Sequence, residues 1–286
     1  MLKLIQNCNI QEFANGTLPL LYRNIKVGYC KPEVVWQLKK ENLPDLICKN
    51  NHIEIVNTAI LQSLLVKWKQ ENTFECLKGW RHELYPVCTQ NEIICTIERS
   101  GCGLFGIRTY GVHINGYTII DNTLHMWVAT RSRFKQTYPL YLDQMVAGGI
   151  SHEESIQDAV IRECEEEASI PEEISKNAIP VGLVSYFIDS SLGYCPETQY
   201  CYDLQLDPSF KPIIKDNEVE KFELFTIHQI KELLLDNKFK PNCALVVIDF
   251  LIRHGFITPS NDKDYIDIVE SLKRPLSKDL PPKVVK

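Results

Sequence analysis

The arrangement of apolar and polar positions predicts a mixed chain whose first third differs from the rest. Within Asn57–Gln70, Leu61, Leu64, Leu65 and Trp68 recur at i, i+3, i+4 and i+7, the stripe of an amphipathic helix. Around it, Lys26–Tyr29 and Ile53–Val56 read as short strands, and Trp80–Cys88 contains a Tyr-Pro step that favours extended backbone. Ile93–Arg99 follows, then the glycine-rich break SGCGLFG. From Leu104 onward the pattern is strand-rich. Asn115–Gly116, set between runs of β-formers in GVHINGYTII, predicts a hairpin turn. Leu124–Arg131, Val181–Ile188, Gln199–Leu206 and the shorter Phe222–Phe225 read as further strands. Residues 154–168 predict an acidic helix. Ile227–Leu235 and Asn242–His254 predict two closing helices, the second stopped at Gly255. These elements divide the chain into a small α+β domain over 1–100, a larger α/β unit over 101–260, and a polar, proline-containing peripheral tail over 261–286.

Composition narrows the function classes. The 286 residues are 44% hydrophobic, enough for a substantial core, and the formal charge of −6 argues against a phosphate-backbone binder. No apolar run approaches the ~20 residues of a membrane-spanning helix, and the N-terminus lacks the pattern of a secretory signal. The 11 cysteines are odd in number, scattered, and free of any CxxC pair, which favours free thiols packed as small hydrophobes in a reducing, cytoplasmic setting. The expected partner is a small molecule, with neither nucleic acid nor membrane involved.

Charge is concentrated in one element. Residues 150–175 hold nine acids and a single base, Arg162, so this window carries −8 while the whole chain carries −6. On a helical wheel Ile156, Val160 and Cys164 define the inward stripe, with Glu167 about 20°, Glu163 about 60° and Glu166 about 120° from Val160, all on one side. Glu154 and Glu165 point away from that stripe. Carboxylates crowded together and partly turned inward repel one another unless a cation sits among them. Hard divalent ions with oxygen ligands, Mg²⁺ or Mn²⁺, suit that role.

In full, the run from Gly148 to Ile170 resembles the Nudix box, G-x5-E-x7-R-E-U-x-E-E-x-G-U, where U is a bulky apolar residue. Gly148, Glu154, Arg162, Glu163, Glu166 and Glu167 match its fixed positions; Ser169 replaces the usual Gly and Cys164 takes the apolar place. The resemblance implies a Nudix α/β/α sandwich around a mixed sheet, preceded by the small α+β domain, and hydrolysis of a diphosphate bond. It also implies that Glu163, Glu166 and Glu167 bind the metal together with the Ala147 carbonyl, that Gly148 forms the tight loop before the helix, and that Arg162 and Glu154 orient the carboxylates. A metal-activated water attacks and a carboxylate takes its proton. Glu163 is favoured as that base, with Glu218 and Glu220 in the loop DNEVEKF, and then Glu197, as the downstream alternatives.

A narrower resemblance covers most of the chain. WRHELYPV (80–87), LFGIRTYGVHINGYT (104–118), MWVATRS (126–132), LDQMVAGGI (142–150) and EEASI (166–170) are similar to the Nudix subgroup related to thiamine metabolism, some members of which are fused to thiamine pyrophosphokinase. The subgroup implies hydrolysis of thiamine diphosphate, preferentially its oxidised or damaged forms, to the monophosphate and phosphate, with the N-terminal domain helping to select the substrate. EEAS belongs to that subgroup, so Ser169 supports the narrower identification. Arg108, Arg131 and Arg133 are candidate phosphate contacts, and Trp127, Tyr110, Tyr117 and Trp80 candidate stacking partners for a ring. His113 and His125, alternating with apolar neighbours, read as structural. The competing readings are a nucleotide-type Nudix hydrolase acting on a nucleotide sugar or dinucleotide, a catalytically silent ligand-binding regulator, and an isoprenoid diphosphate isomerase.

Overall fold

The computed structural model describes residues 1–215 and 217–281. The first position of the loop DNEVEKF and the last five residues of the tail lie outside the described residues. The chain begins with α1 (Leu2–Asn7) and the hairpin β1 (Leu18–Tyr22) and β2 (Ile25–Cys30), turned by Arg23 and Asn24 at φ 48° and 64°. Next come α2 (Pro32–Glu41), with its proline in the first turn, β3 (Leu46–Cys48) and β4 (Ile53–Ile55). These strands form a four-stranded sheet ordered β2-β1-β4-β3, in which β1 and β4 run parallel. The predicted helix is α3 (Ala59–Gln70), and Leu61, Leu64, Leu65 and Trp68 are all buried. A two-stranded ribbon follows, β5 (Leu84–Cys88) with β6 (Ile93–Glu98).

The glycine-rich break is not a loop. Residues 99–101 form a 3₁₀ turn and Cys102–Phe105 a short helix, α4, closed by Gly106 at φ 58°. A Cβ on Gly103 would collide with the Leu192 carbonyl, so that glycine permits close approach of backbone to backbone.

The large sheet is built from β7 (Thr109–Ile120), β8 (Thr123–Arg131), β9 (Leu142–Gln144) and β10 (Val146–Gly149). After the helices α5 (Ile156–Ala168) and α6 (Glu172–Ser175) it is completed by β11 (Ile179–Ser190), β12 (Gly193–Gln205) and β13 (Val219–Thr226). The order is β11-β12-β7-β8-β13, with β10 paired to β7 and β9 to β8; β12 and β7 run parallel, so the sheet is mixed. The predicted turn at Asn115–Gly116 does not exist: β7 passes straight through it, and the chain reverses at Asp121–Asn122, where φ is 49° and 57°. Asn115 is buried and donates from Nδ2 to Asp203 (3.1 Å), while a Cβ on Gly116 would run into the Met145 sulfur. The pair serves burial and close packing rather than chain reversal.

Both faces of the sheet are covered, so β7 carries a near-continuous run of buried residues instead of an alternation. On one face α5 packs Ala159, Val160 and Cys164 against Val112, Ile114 and Tyr202. On the other lie α7 (Ile227–Leu235) and α8 (Pro241–Arg253), the latter buried from Asn242 to Leu251. The result is the expected mixed α+β architecture, with helices on either side of a mixed sheet and a small α+β region before it. Residues 261–281 depart from a peripheral tail: α9 (Tyr265–Ser271) buries Ile268 and Leu272 in the α8 core, and Leu276 and Leu280 are also buried. Tyr265, Ile268, Val269 and Leu272 recur at i, i+3, i+4 and i+7, the sequence signal of this docked helix.

Candidate active site

The site forms where β10 meets α5. Ser155 caps the helix, its hydroxyl accepting from the Asp158 N–H (3.1 Å), so α5 starts at Ile156 and Glu154 stands just before it. Glu154 therefore does not point away. Its carboxylate accepts from Arg162 Nε (2.6 Å) and Nη2 (2.9 Å). The same guanidinium donates from Nη1 to Glu163 (2.8 Å) and Glu166 (3.0 Å), and from Nη2 to the Gly149 carbonyl (3.3 Å). Arg162 thus links the loop, the residue before the helix and two helical carboxylates.

The three box carboxylates are not equivalent. Glu163 and Glu167 are buried, at 8% exposure each, whereas the Glu166 side chain is 54% exposed. Glu163 lies against Gly148, where any Cβ would overlap its carboxylate. Glu167 Oε2 accepts from the Ala147 N–H (2.9 Å). Burial pushes the Glu163 carboxyl up despite the opposing pull of Arg162. Glu167 is driven well above its ordinary value by burial, with the charges of Glu163 and Asp143 adding to the shift. Among the described residues no basic side chain lies within ion-pair distance of Glu167. Two adjacent buried carboxylates, one without a cation, beside a glycine that leaves them room, fit a hard divalent ion bound by oxygen.

A second buried polar group sits nearby. Ligand atoms of His113, Asp143 and Cys243 lie within 4.8 Å of one another. Asp143 is already engaged by Arg131 Nη1 (2.7 Å) and Cys243 Sγ (2.8 Å), and His113 Nδ1 by Gln144 (2.6 Å). Burial lowers His113 to about 4, which keeps its ring neutral.

Ala147, Gly148 and Gly149 also line a cavity of about 590 Å³. Its wall combines Arg81, Tyr85 and Arg99 from the N-terminal region with Tyr186, Glu197 and Gln199 from the large sheet. Glu197 accepts hydrogen bonds from the Tyr186 hydroxyl and from Gln199 Nε2 (2.9 Å), and Asn242 Nδ2 donates to Tyr186 (2.9 Å).

A family model described as NUDIX domain matches residues 109–244, and one described as a domain of unknown function, DUF4743, matches residues 1–109. An uncharacterized protein of Saccharomyces cerevisiae is 38% identical over 231 residues, covering 76% of this chain and 68% of that protein. Nudix hydrolase 20, chloroplastic, of Arabidopsis thaliana is 42% identical over 200 residues, 69% of this chain and 53% of the relative. The chain carries a Nudix domain. Nudix hydrolases as a family act on small molecules with the help of divalent metal ions. The chain spans about half the length of that Arabidopsis relative and of a second one, Nudix hydrolase 24, chloroplastic, which is 38% identical and covered over 54% of its length. Among solved structures, a Deinococcus radiodurans protein aligns over 55% of this chain and 91% of its own, with 20% identity and a TM-score of 0.42. Among the described residues no helix is long and apolar enough to cross a membrane.

Of the remaining candidates in this Nudix chain, Tyr110, His113 and Glu197 line the cavity, and the others do not. Arg131 is no phosphate ligand: it is buried, with Nη1 on Asp143 and Nε and Nη2 on the carbonyls of Tyr138 (3.1 Å) and Thr137 (3.0 Å). Arg108 donates to Thr198 (2.9 Å) and Ser277 (3.1 Å). Arg133 is paired with Glu220 at an exposed position. Trp127 packs against the α5 core, Tyr117 stands edge-on to Phe250, and Trp80 packs against the N-terminal core. His125 Nδ1 pairs with the Thr123 carbonyl (3.0 Å) near the surface. Glu218 is bound by Lys135 (2.5 Å) and Arg81 (3.3 Å), both of which line the cavity. Tyr85 and Arg99 were not singled out from sequence; WRHELYPV, which contains Tyr85, was the available signal.

Proposed function

We propose that the chain hydrolyses a diphosphate bond with Mg²⁺ or Mn²⁺ held by Glu163, Glu166, Glu167 and the Ala147 carbonyl. The observation that carries this reading is the burial of Glu163 and Glu167 against Gly148 and Ala147, two residues that also line the cavity. When bound, the metal supplies charge neutralisation at the pyrophosphate oxygens and acidifies a water. The chain's own residues do the rest. Arg162 holds Glu163 and Glu166 in place and is itself held by Glu154, so removing either orienting residue loosens the carboxylates. Glu163, whose carboxyl is raised by burial, is the base of this scheme. Glu218 and Glu220, each bound to a cation and shifted downward overall, are weaker bases.

The substrate of this reading is thiamine diphosphate, in oxidised or damaged form by preference. Two features support it. The quoted sequence stretches resemble the thiamine-related Nudix subgroup. In addition, Glu197 presents a carboxylate to the cavity with no basic side chain within ion-pair distance among the described residues, a suitable neighbour for a partly cationic ring. The regions 1–100 and 101–260 are proposed as the substrate-selecting and catalytic domains. Phosphate release from oxidised thiamine diphosphate, thiamine diphosphate and ADP-ribose, measured side by side with Mg²⁺, tests the reading. The highest kcat/KM is expected on the oxidised thiamine compound; a higher value on ADP-ribose would assign the chain to nucleotide-type substrates.

A further inference from the structure

We infer that Tyr85 and Arg99 form an anion-binding lip through which the N-terminal region grips the diphosphate of the substrate. Tyr85 belongs to β5 and Arg99 follows β6, so one ribbon delivers both side chains. Its position is fixed by two backbone bonds at its open end: Arg99 N–H donates to the Glu83 carbonyl (2.9 Å), and His152 N–H, from the loop before α5, donates to the Leu84 carbonyl (2.9 Å). The ribbon is thereby tied to the segment that leads into the carboxylate helix.

Both side chains meet at Gly149, the residue after the box glycine. A Cβ there would collide with the Tyr85 hydroxyl and would lie 3.2 Å from Arg99 Cζ. Arg99 also sits over the Tyr85 ring at 5.6 Å. The Tyr85 side chain is 3% exposed, faces the cavity, and its hydroxyl has no hydrogen-bond partner among the described residues. A buried hydroxyl without a partner destabilises a fold, and phenylalanine would fill the same space without that loss. Arg99 donates from Nη1 to Glu83 (2.8 Å), and its other donors make no hydrogen bond among the described residues. One neutral O–H donor beside the free part of a guanidinium fork is a donor set for an oxyanion. Beside Gly148 and Glu163 that oxyanion is a phosphoryl oxygen of the diphosphate.

The assignment rests on the reading of the site as a diphosphate hydrolase, and the test separates the two. Imidodiphosphate, which resists hydrolysis, is titrated into the full chain with Mg²⁺ by calorimetry, alongside turnover of oxidised thiamine diphosphate and thermal melting. Tyr85→Phe is expected to weaken imidodiphosphate binding about tenfold or more, the scale of a hydrogen bond to a charged group. It should melt no lower than the wild type without ligand. Arg99→Lys, which keeps the charge but loses the fork, should bind more weakly than wild type and more tightly than Arg99→Gln. Unchanged imidodiphosphate affinity in Tyr85→Phe and Arg99→Gln, in a wild type that hydrolyses diphosphates, overturns the lip and leaves the hydrolase reading standing. A lower melting temperature of Tyr85→Phe with unchanged affinity also overturns it, because the hydroxyl then serves the fold. A wild type that binds imidodiphosphate through these residues yet hydrolyses no diphosphate keeps the lip and overturns the hydrolase reading.

Discussion

Two buried carboxylates, Asp203 on β12 and Glu167 on α5, are 6% and 8% exposed, yet their surroundings differ completely. Asp203 accepts from Arg253 Nη1 (2.5 Å) and Nη2 (2.9 Å), His254 Nε2 (2.9 Å) and Asn115 Nδ2 (3.1 Å). Burial pushes its carboxyl up, but those donors outweigh burial and hold it below its usual value. Glu167 receives a backbone N–H, while Glu163 and Asp143 push the same way as burial, and the carboxyl rises. One carboxylate is finished by the fold; the other is left for something the fold does not supply. A buried charge that is fully bonded is a structural part, whereas one left uncompensated marks a place where function imposes a cost.

The largest effect that sharpens this contrast is catalytic. Glu167→Gln should lower kcat by at least about 10³-fold, the scale on which removing a group that stabilises transition-state charge is felt. The same change should leave the melting temperature unchanged or higher, since it removes a repulsive buried charge. Steady-state phosphate release and calorimetric melting check the pair, and comparable turnover would break the contrast at once. Asp203→Ala should show the reverse: a loss of about 3 kcal/mol in urea unfolding, because half-buried Arg253 keeps only Asp249 and buried Asn115 loses its acceptor, with kcat per folded molecule retained.

A smaller effect comes from pH. Because Asp203 has a depressed carboxyl in the fold, its contribution is full above the unfolded value near ~3.9 and disappears as pH falls through the lower folded value. The wild type should therefore lose stability in that acid range more steeply than Asp203→Asn does. Parallel slopes in urea unfolding across that range would remove Asp203 from the structural side. The smallest expected change is at the end of α5, where Ser169 adopts φ 52°, ψ 36°. Ser169→Gly should stabilise by roughly 0.5–1 kcal/mol, since glycine occupies the left-handed region without the steric cost. Turnover should not move, because Ser169 faces the exit turn rather than the cavity.

Legibility followed locality. The carboxylate helix could be read from sequence because its spacing, charge and apolar stripe all lie within one continuous run, and α3 was equally plain from Leu61, Leu64, Leu65 and Trp68. The hairpin misplaced at Asn115–Gly116 shows the limit. Local turn chemistry favours reversal there, but the partners Asp203 and Met145, far along the chain, claim both residues for the interior. Glu154 was misdirected on the wheel because the Ser155 cap places it outside the helix. Arg131 looked like a phosphate ligand until the fold delivered Asp143 and two carbonyls to it. Tyr85 and Arg99 were invisible as a pair, since it takes the ribbon's docking near residue 152 to bring them to Gly149.

The central claim is that Glu167 stays uncompensated, beside a Glu163 that Arg162 already holds, because a divalent ion completes the pair. Mn²⁺ binding followed by electron paramagnetic resonance, on the wild type, Glu167→Gln and Asp203→Asn at neutral pH, addresses it without relying on turnover. Wild type and Asp203→Asn should take up Mn²⁺ alike, and Glu167→Gln should bind at least about tenfold more weakly. Equal uptake by wild type and Glu167→Gln, or none by the wild type even with imidodiphosphate present, would contradict the account.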